Sequence, residues 1–201
     1  MLNTTKEFDK LPVGRLAAQV QVSVATPSDI TEIYGPFAAL LPDGCATLDT
    51  VQAVAAAHPF NAWSIRNRRD GVLSGIYLMI MLSKAGHAAL LDGSITPIHP
   101  AKEHLATGLE DISAIYKWGV FAKGVAAGAV PLIAAELRRP PFSNVPLYGR
   151  AASPEGRHLM EAVGFVPVTD TPLTSLFKYE RIKNRAIPSP QRQKQMESNR
   201  A

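Results

Sequence analysis

The sequence predicts one α/β domain, and three observations carry the prediction. Segments with the two-residue alternation of a strand take turns with segments of helical period along most of the chain. Of the 201 residues, 46% are hydrophobic, so the chain can bury one core well but is too short for two comfortable domains. Near its middle a β-rich run turns through Phe121-Ala122-Lys123-Gly124-Val125-Ala126 into an alanine-rich helical stretch.

Taken in order, the first strand is Val20-Gln-Val-Ser-Val24, whose valines alternate with polar residues as in a half-buried strand. Asp29 followed by Glu32 marks a helix start, and Ile30, Ile33, Tyr34 and Phe37 share one face until Gly35-Pro36 disturbs it. Thr47 opens a second helix with Val51, Val54 and Ala55 facing inward. Both helices are expected to cover one face of a sheet. Residues 62–68 and 72–82 read as strands joined at Arg69-Asp70-Gly71, where Asp-Gly suits the positive φ angles of a tight hairpin. Arg66, Arg68 and Arg69 read as a solvated strand edge. The second of these strands is apolar almost without a break and is expected at the sheet centre.

Residues 84–112 form a long connection with material for one or two short helices, a length that marks function or mobility in compact domains. A helix over 125–138 contains Gly128 and Pro131, so Pro131 should either kink it or mark its real start. Residues 145–150 supply the next strand. Ser153-Pro154-Glu155 is a helix start with an N-cap hydroxyl, proline in the first position and a carboxylate in the first turn. Leu159, Met160 and Val163 then face inward, Gly164 ends the helix, and 165–168 with 175–179 close the sheet.

Composition narrows the function classes. The lone Cys45 rules out an internal disulfide framework and agrees with a reducing compartment; no secretory leader pattern opens the sequence, and the expected location is cytoplasmic. The most apolar run, 76–82, is far shorter than the roughly 20 residues a spanning helix needs. The net charge of +4 is concentrated at one end, because residues 181–201 carry six basic side chains against Glu197. That end, without apolar periodicity, is expected to be a disordered tail over 182–201. Nucleic acid is its less favoured partner, since no aromatic residues are interleaved with the charges. Residues 1–17 read as an N-terminal extension and 18–181 as the domain. Ser-His-Asp order, zinc-ligand spacing, Walker loop and dinucleotide fingerprint are all missing, and no metal is expected.

The turn over residues 121–126 has its own chemistry. A strand ending in small residues leaves backbone N–H groups unpaired at the start of a helix, where the dipole also favours an anion, and Gly124 and Ala126 allow close approach. Ordinary turn chemistry accounts for Gly124 equally well. Phe121-x-x-Gly124-x-Ala126 resembles the R/Q-x-x-G-x-G/A phosphate signature of the GNAT superfamily of N-acetyltransferases at its two small positions. The helix from Ser153 into Gly164-Phe165 resembles a second mark of that superfamily, and Val20–Val24 with Ala25-Thr-Pro-Ser-Asp29 resembles its first strand and helix start.

The resemblance implies a three-layer domain, with a central mixed, mostly antiparallel sheet of about six to seven strands flanked by helices. It implies an acyl-CoA-dependent N-acyltransferase that uses acetyl-CoA, or another acyl-CoA, to acylate an amine on a small molecule or a protein. The strand carrying Trp118, Gly119 and Val120 would splay from its neighbour to hold the pantetheine arm and thioester, while Phe121, Lys123, Gly124, Val125, Ala126 and Ser153 would surround the coenzyme A phosphates. Such a reaction also needs removal of an amine proton and protonation of the departing thiolate. Glu110, Asp111 and His158 are candidates for these proton transfers, Tyr148 is a further one, and Tyr116 and His104 are candidates for contact with the acceptor. Each has an ordinary alternative: solvation or capping for the charged residues, core packing for the aromatics. Two positions depart from the pattern. Phe121 stands where the superfamily has Arg or Gln, and Met160, five residues before Phe165, stands where many members have a proton-donating tyrosine. The alternatives are an acyltransferase with a longer donor, as in signal-lactone synthesis, and a non-catalytic binding or regulatory domain. An exposed strand edge near the end of the chain is compatible with a homodimer.

Overall fold

The computed structural model describes residues 13–39, 45–122, 124–151 and 154–179. Seven strands form one sheet: β1 Val20–Val24, β2 Ala62–Asn67, β3 Leu73–Leu82, β4 Ala114–Ala122, β5 Leu147–Arg150, β6 Phe165–Pro167 and β7 Leu176–Tyr179. Their spatial order is β1-β2-β3-β4-β5-β7-β6, with β4 and β5 parallel and every other pair antiparallel. The helices are α1 Val13–Ala17, α2 Pro27–Ala38, α3 Leu48–Ala57, α4 Lys84–Asp92, α5 Ala129–Glu136 and α6 Pro154–Ala162. The result is an α/β arrangement with a mixed, mostly antiparallel seven-stranded sheet between two helical layers, as the resemblance implied.

From Ile76 onward β3 separates the two cores by simple alternation. Ile76, Leu78, Ile80 and Leu82 face α2, α3 and α4, whereas Tyr77, Met79 and Met81 face α5 and α6; Leu73 reaches the first face because the pairing with β2 slips by one residue at Ser74. Both faces are covered, which is why the strand reads as an unbroken apolar run. Full burial of each of its Ile, Leu and Met side chains contributes roughly 1.5–3 kcal/mol before cavity effects. Asn61, only 1% exposed, joins this strand to the helical layer. Its Nδ2 donates to the Val54 carbonyl and its Oδ1 accepts from the Met81 N–H, both at 2.7 Å, where β3 has run past the start of β2.

Several local expectations are corrected. Thr26, not Asp29, is the N-cap of α2: its hydroxyl accepts from the Asp29 N–H while the Asp29 carboxylate accepts from the Thr26 N–H. Asp29 also pairs with Arg66, so that arginine is an anchor between α2 and β2 rather than a solvated edge. Burial pushes the Asp29 carboxyl up, but the Thr26 hydrogen bonds and Arg66 outweigh it and hold it below its ordinary value. Helix α2 continues through Pro36 to Ala38; the residue before the proline is Gly35, which has no Cβ to meet the proline ring. The long connection supplies α4 and two short 3-10 turns, Lys102–His104 and Leu109–Asp111. Helix α6 begins at Pro154 as expected, while Ser153 lies outside the described residues. So do residues 182–201, the expected tail.

Within the expected N-terminal extension, α1 docks on the segment after β4. A Cβ on Gly128 would stand 2.4 Å from the Leu16 carbonyl carbon and 2.6 Å from the Ala17 nitrogen, so only glycine lets these backbones meet.

Candidate functional site

The site is built by a change in strand pairing. β4 pairs with β3 along nearly its whole length, but Leu78 faces Gly119 and Met79 faces Lys117, leaving Trp118 as one extra residue. On its other side β4 pairs with β5 only through Ile115, Tyr116 and Lys117, opposite Leu147, Tyr148 and Gly149. From Trp118 to Ala122 the strand pairs with β3 alone, so the cleft is the gap beside β4 where pairing with β5 has ended. On that side Trp118, Gly119 and Val120 have no strand neighbour among the described residues, an edge that suits a ligand able to form strand-like hydrogen bonds.

The expected cofactor residues that are described divide between the two faces of β4 and the turn after it. The Gly119 position is closed on the α2 side, since a Cβ there would stand 2.7 Å from Cζ of Phe37. Val120 is half-buried against the α5 layer, and Phe121 is buried in the opposite core. A phenyl ring among α2 and α3 side chains replaces the polar group that the GNAT signature places there. Gly124 is exposed, adopts φ +55°, and has open space where a Cβ would point. Val125 is half-buried, and Ala126 is fully buried beneath the sheet, so the turn offers a ligand mainly its first two residues. The segment Gly124–Gly128 is a 3-10 turn and α5 begins only at Ala129. Pro131 therefore falls in the first helical turn, where its missing N–H costs nothing, and it marks the start rather than a kink. Lys123 lies outside the described residues.

The proton-transfer candidates are dispersed. Glu110 and Asp111 are exposed in the turn before β4, at the opposite end of that strand from Gly124. They line a cleft of about 560 Å³ together with Ser83, Lys84, Leu105 and Ser113. His158 is exposed on α6. His104 is half-buried in its 3-10 turn, and its Nδ1 is buried without a hydrogen-bond partner among the described residues. Tyr116 is buried beside Tyr148 on the α4 face, and burial raises the pKa of both phenols. Met160, 3% exposed, is core beneath α6.

Two functional candidates escaped the sequence reading. His87 on α4 places Nε2 3.1 Å from the Tyr148 hydroxyl and Nδ1 3.4 Å from Ser113 Oγ, bridging the insertion to β5 and the start of β4. Burial, helped by the charge of Lys178, holds its pKa below the ordinary histidine value. Lys117 is the second: a half-buried lysine in the middle of an otherwise apolar central strand. That placement of a charge was the available signal.

No family model and no curated protein matches this chain. Among solved structures, the GNAT-like decarboxylase GphF in complex with isobutyryl-CoA is similar over 72% of each chain, at 15% identity and a TM-score of 0.47. A GNAT-family acetyltransferase from Listeria monocytogenes is similar over 81% of this chain and 94% of its own, at 14% identity and a TM-score of 0.46. A histone acetyltransferase and related acetyltransferase from Corynebacterium glutamicum is similar over 80% and 94%, at 16% identity and a TM-score of 0.42.

Proposed function

We propose that this chain binds an acyl-CoA thioester in the cleft beside β4 and transfers its acyl group, most simply acetyl, to an amine. The observation that carries the reading is the early end of β4–β5 pairing at Lys117 and Gly149, followed by the exposed, left-handed Gly124. A pantetheine arm is an extended chain with two amides and can take the place of the missing strand neighbour along Trp118, Gly119 and Val120. The same backbone groups can polarise the thioester carbonyl as the amine attacks. Pyrophosphate would meet the first N–H groups of the turn at Gly124 and Val125. A short acyl donor is favoured over a long one, because Ala89, Leu90 and Ile95 of the insertion are already buried in the core and do not line a chain pocket. On the acceptor side His87 is the candidate proton acceptor, since burial keeps its imidazole neutral, whereas Glu110 and Asp111 lie before the start of β4.

Thermal unfolding with and without acetyl-CoA tests the reading, since a ligand that binds only the native state raises its stability by mass action. A rise with acetyl-CoA is expected, larger than with long-chain thioesters. G124D should abolish it. Asp tolerates the left-handed conformation and meets open space there, so the fold should lose only about 1 kcal/mol while a negative charge enters the phosphate position. If G124D keeps the full shift, the turn is not the phosphate site. The non-catalytic reading draws on one observation: Met160 and Phe121 are both buried, so neither superfamily side chain has a substitute at its own position. Binding without thioester turnover against a panel of amines would favour it.

A further inference from the structure

Lys117 is the last residue of β4 that pairs with β5, opposite Gly149. Because Gly149 has no side chain, the lysine stem lies across it; a Cβ on Gly149 would stand 3.4 Å from Cβ and 3.9 Å from Cε of Lys117. The same point is 3.2 Å from Cε of Met160, so the stem runs between β4, β5 and α6 beside a thioether. Among the described residues no carboxylate pairs with it. A methionine would fill this space without desolvating a charge, so packing gives no reason for an amine here.

We propose that Lys117 is a covalent acyl acceptor, its Nζ taking the acyl group from a thioester held in the cleft that opens one residue further along β4. The inference rests on the acyl-CoA reading above. The stem starts where the strand parts from β5, the place at which a thioester lying along Trp118 to Val120 would end. Burial lowers the pKa of Lys117. An ordinary lysine has about one amine in a thousand neutral near pH 7.4, and each unit of lowering raises that fraction about tenfold. The neutral Nζ attacks the carbonyl carbon; a C–N bond forms, the C–S bond breaks, and the proton lost by nitrogen ends on the departing thiolate, giving an N-acyl-lysine and free coenzyme A. The product also replaces a poorly solvated ammonium with a neutral amide.

The full chain, incubated with acetyl-CoA and mapped by peptide mass spectrometry, tests this alongside the thermal shift. Lys117 is expected to gain an acetyl group at least about ten times faster than the exposed Lys84 and Lys102. That preference should vanish in G124D, and with a small acetyl thioester that lacks the nucleotide. A thermal rise with acetyl-CoA but no preference for Lys117 overturns the proposal and leaves the acyl-CoA reading standing. Absence of both overturns both. A preference that persists with the small thioester, or in G124D, overturns delivery from the cleft and with it the proposal.

Discussion

The two halves of the sheet, which meet at β4, are built differently. On the β1–β3 side, eight residue pairs join β3 to β4 and five join each of the next two strand pairs. On the β5–β7–β6 side, each ladder has three pairs. The first half is also tied to its helices by polar anchors, Asn61 and the Thr26–Asp29–Arg66 group, whereas in the second half β4 leaves its neighbour after Lys117. A sheet that is closed on one side can keep the other side open for a ligand, because pairing with β3 continues past the Trp118 bulge and holds β4 in place. The proposed acyl-CoA site thus falls where backbone pairing is least complete.

Asn61→Ala offers the largest way to break that comparison. It strands the Val54 carbonyl and the Met81 N–H in the interior, and about 3 kcal/mol of stability should be lost in urea unfolding. A loss below about 1 kcal/mol would mean that the anchor is dispensable and the first half is not the rigid one. Gly128→Ala comes next, because its Cβ would collide with the backbone of α1. We expect a cost of about 2 kcal/mol, with amide exchange at Val13–Ala17 rising far more than in β3; uniform change would deny that α1 is separately docked.

Asp29→Asn should cost about 1–2 kcal/mol at pH 7 by weakening the cap and the Arg66 pair. Since the folded state holds Asp29 below its ordinary value of 3.8, its contribution is complete above that value and disappears as pH falls through the lower folded one. Wild type and variant should converge in acid; a gap constant from pH 7 to 2 would remove the carboxylate from the account. The smallest effect has the opposite sign. Lys117→Met should raise stability by about 0.5–1 kcal/mol at neutral pH, because the folded state disfavours the charged amine. As pH rises from the lowered folded value towards the ordinary lysine value of 10.5, the wild type regains stability and the difference closes. A destabilised variant would show that the ammonium has a partner in solution.

Much of this was legible from periodicity. The alternation of Val20, Val22 and Val24, the unbroken apolar run of β3, the Thr47 cap and the Pro154 start all correspond to real elements, because local backbone preference and burial agree there. The Gly124 turn and the departures at Phe121 and Met160 were also readable as residue types. Less legible were the Thr26 cap and the continuation of α2 through Pro36, where a side-chain partner one turn away and a preceding glycine override simple rules.

By itself, then, the order of residues determined the α/β class, the succession of elements and the position of the strand-to-helix turn, all of which follow from interactions within a few residues. Tertiary structure decided the rest. Only the register of β4 against β3 and β5 creates the extra residue at Trp118 and the cleft beyond Lys117. Packing across the sheet, likewise, turns Phe121, Ala126 and Met160 into core while leaving Gly124 at the surface. Whether a side chain meets solvent, a ligand or another side chain depends on chain segments far away in sequence, and no local pattern encodes that distance.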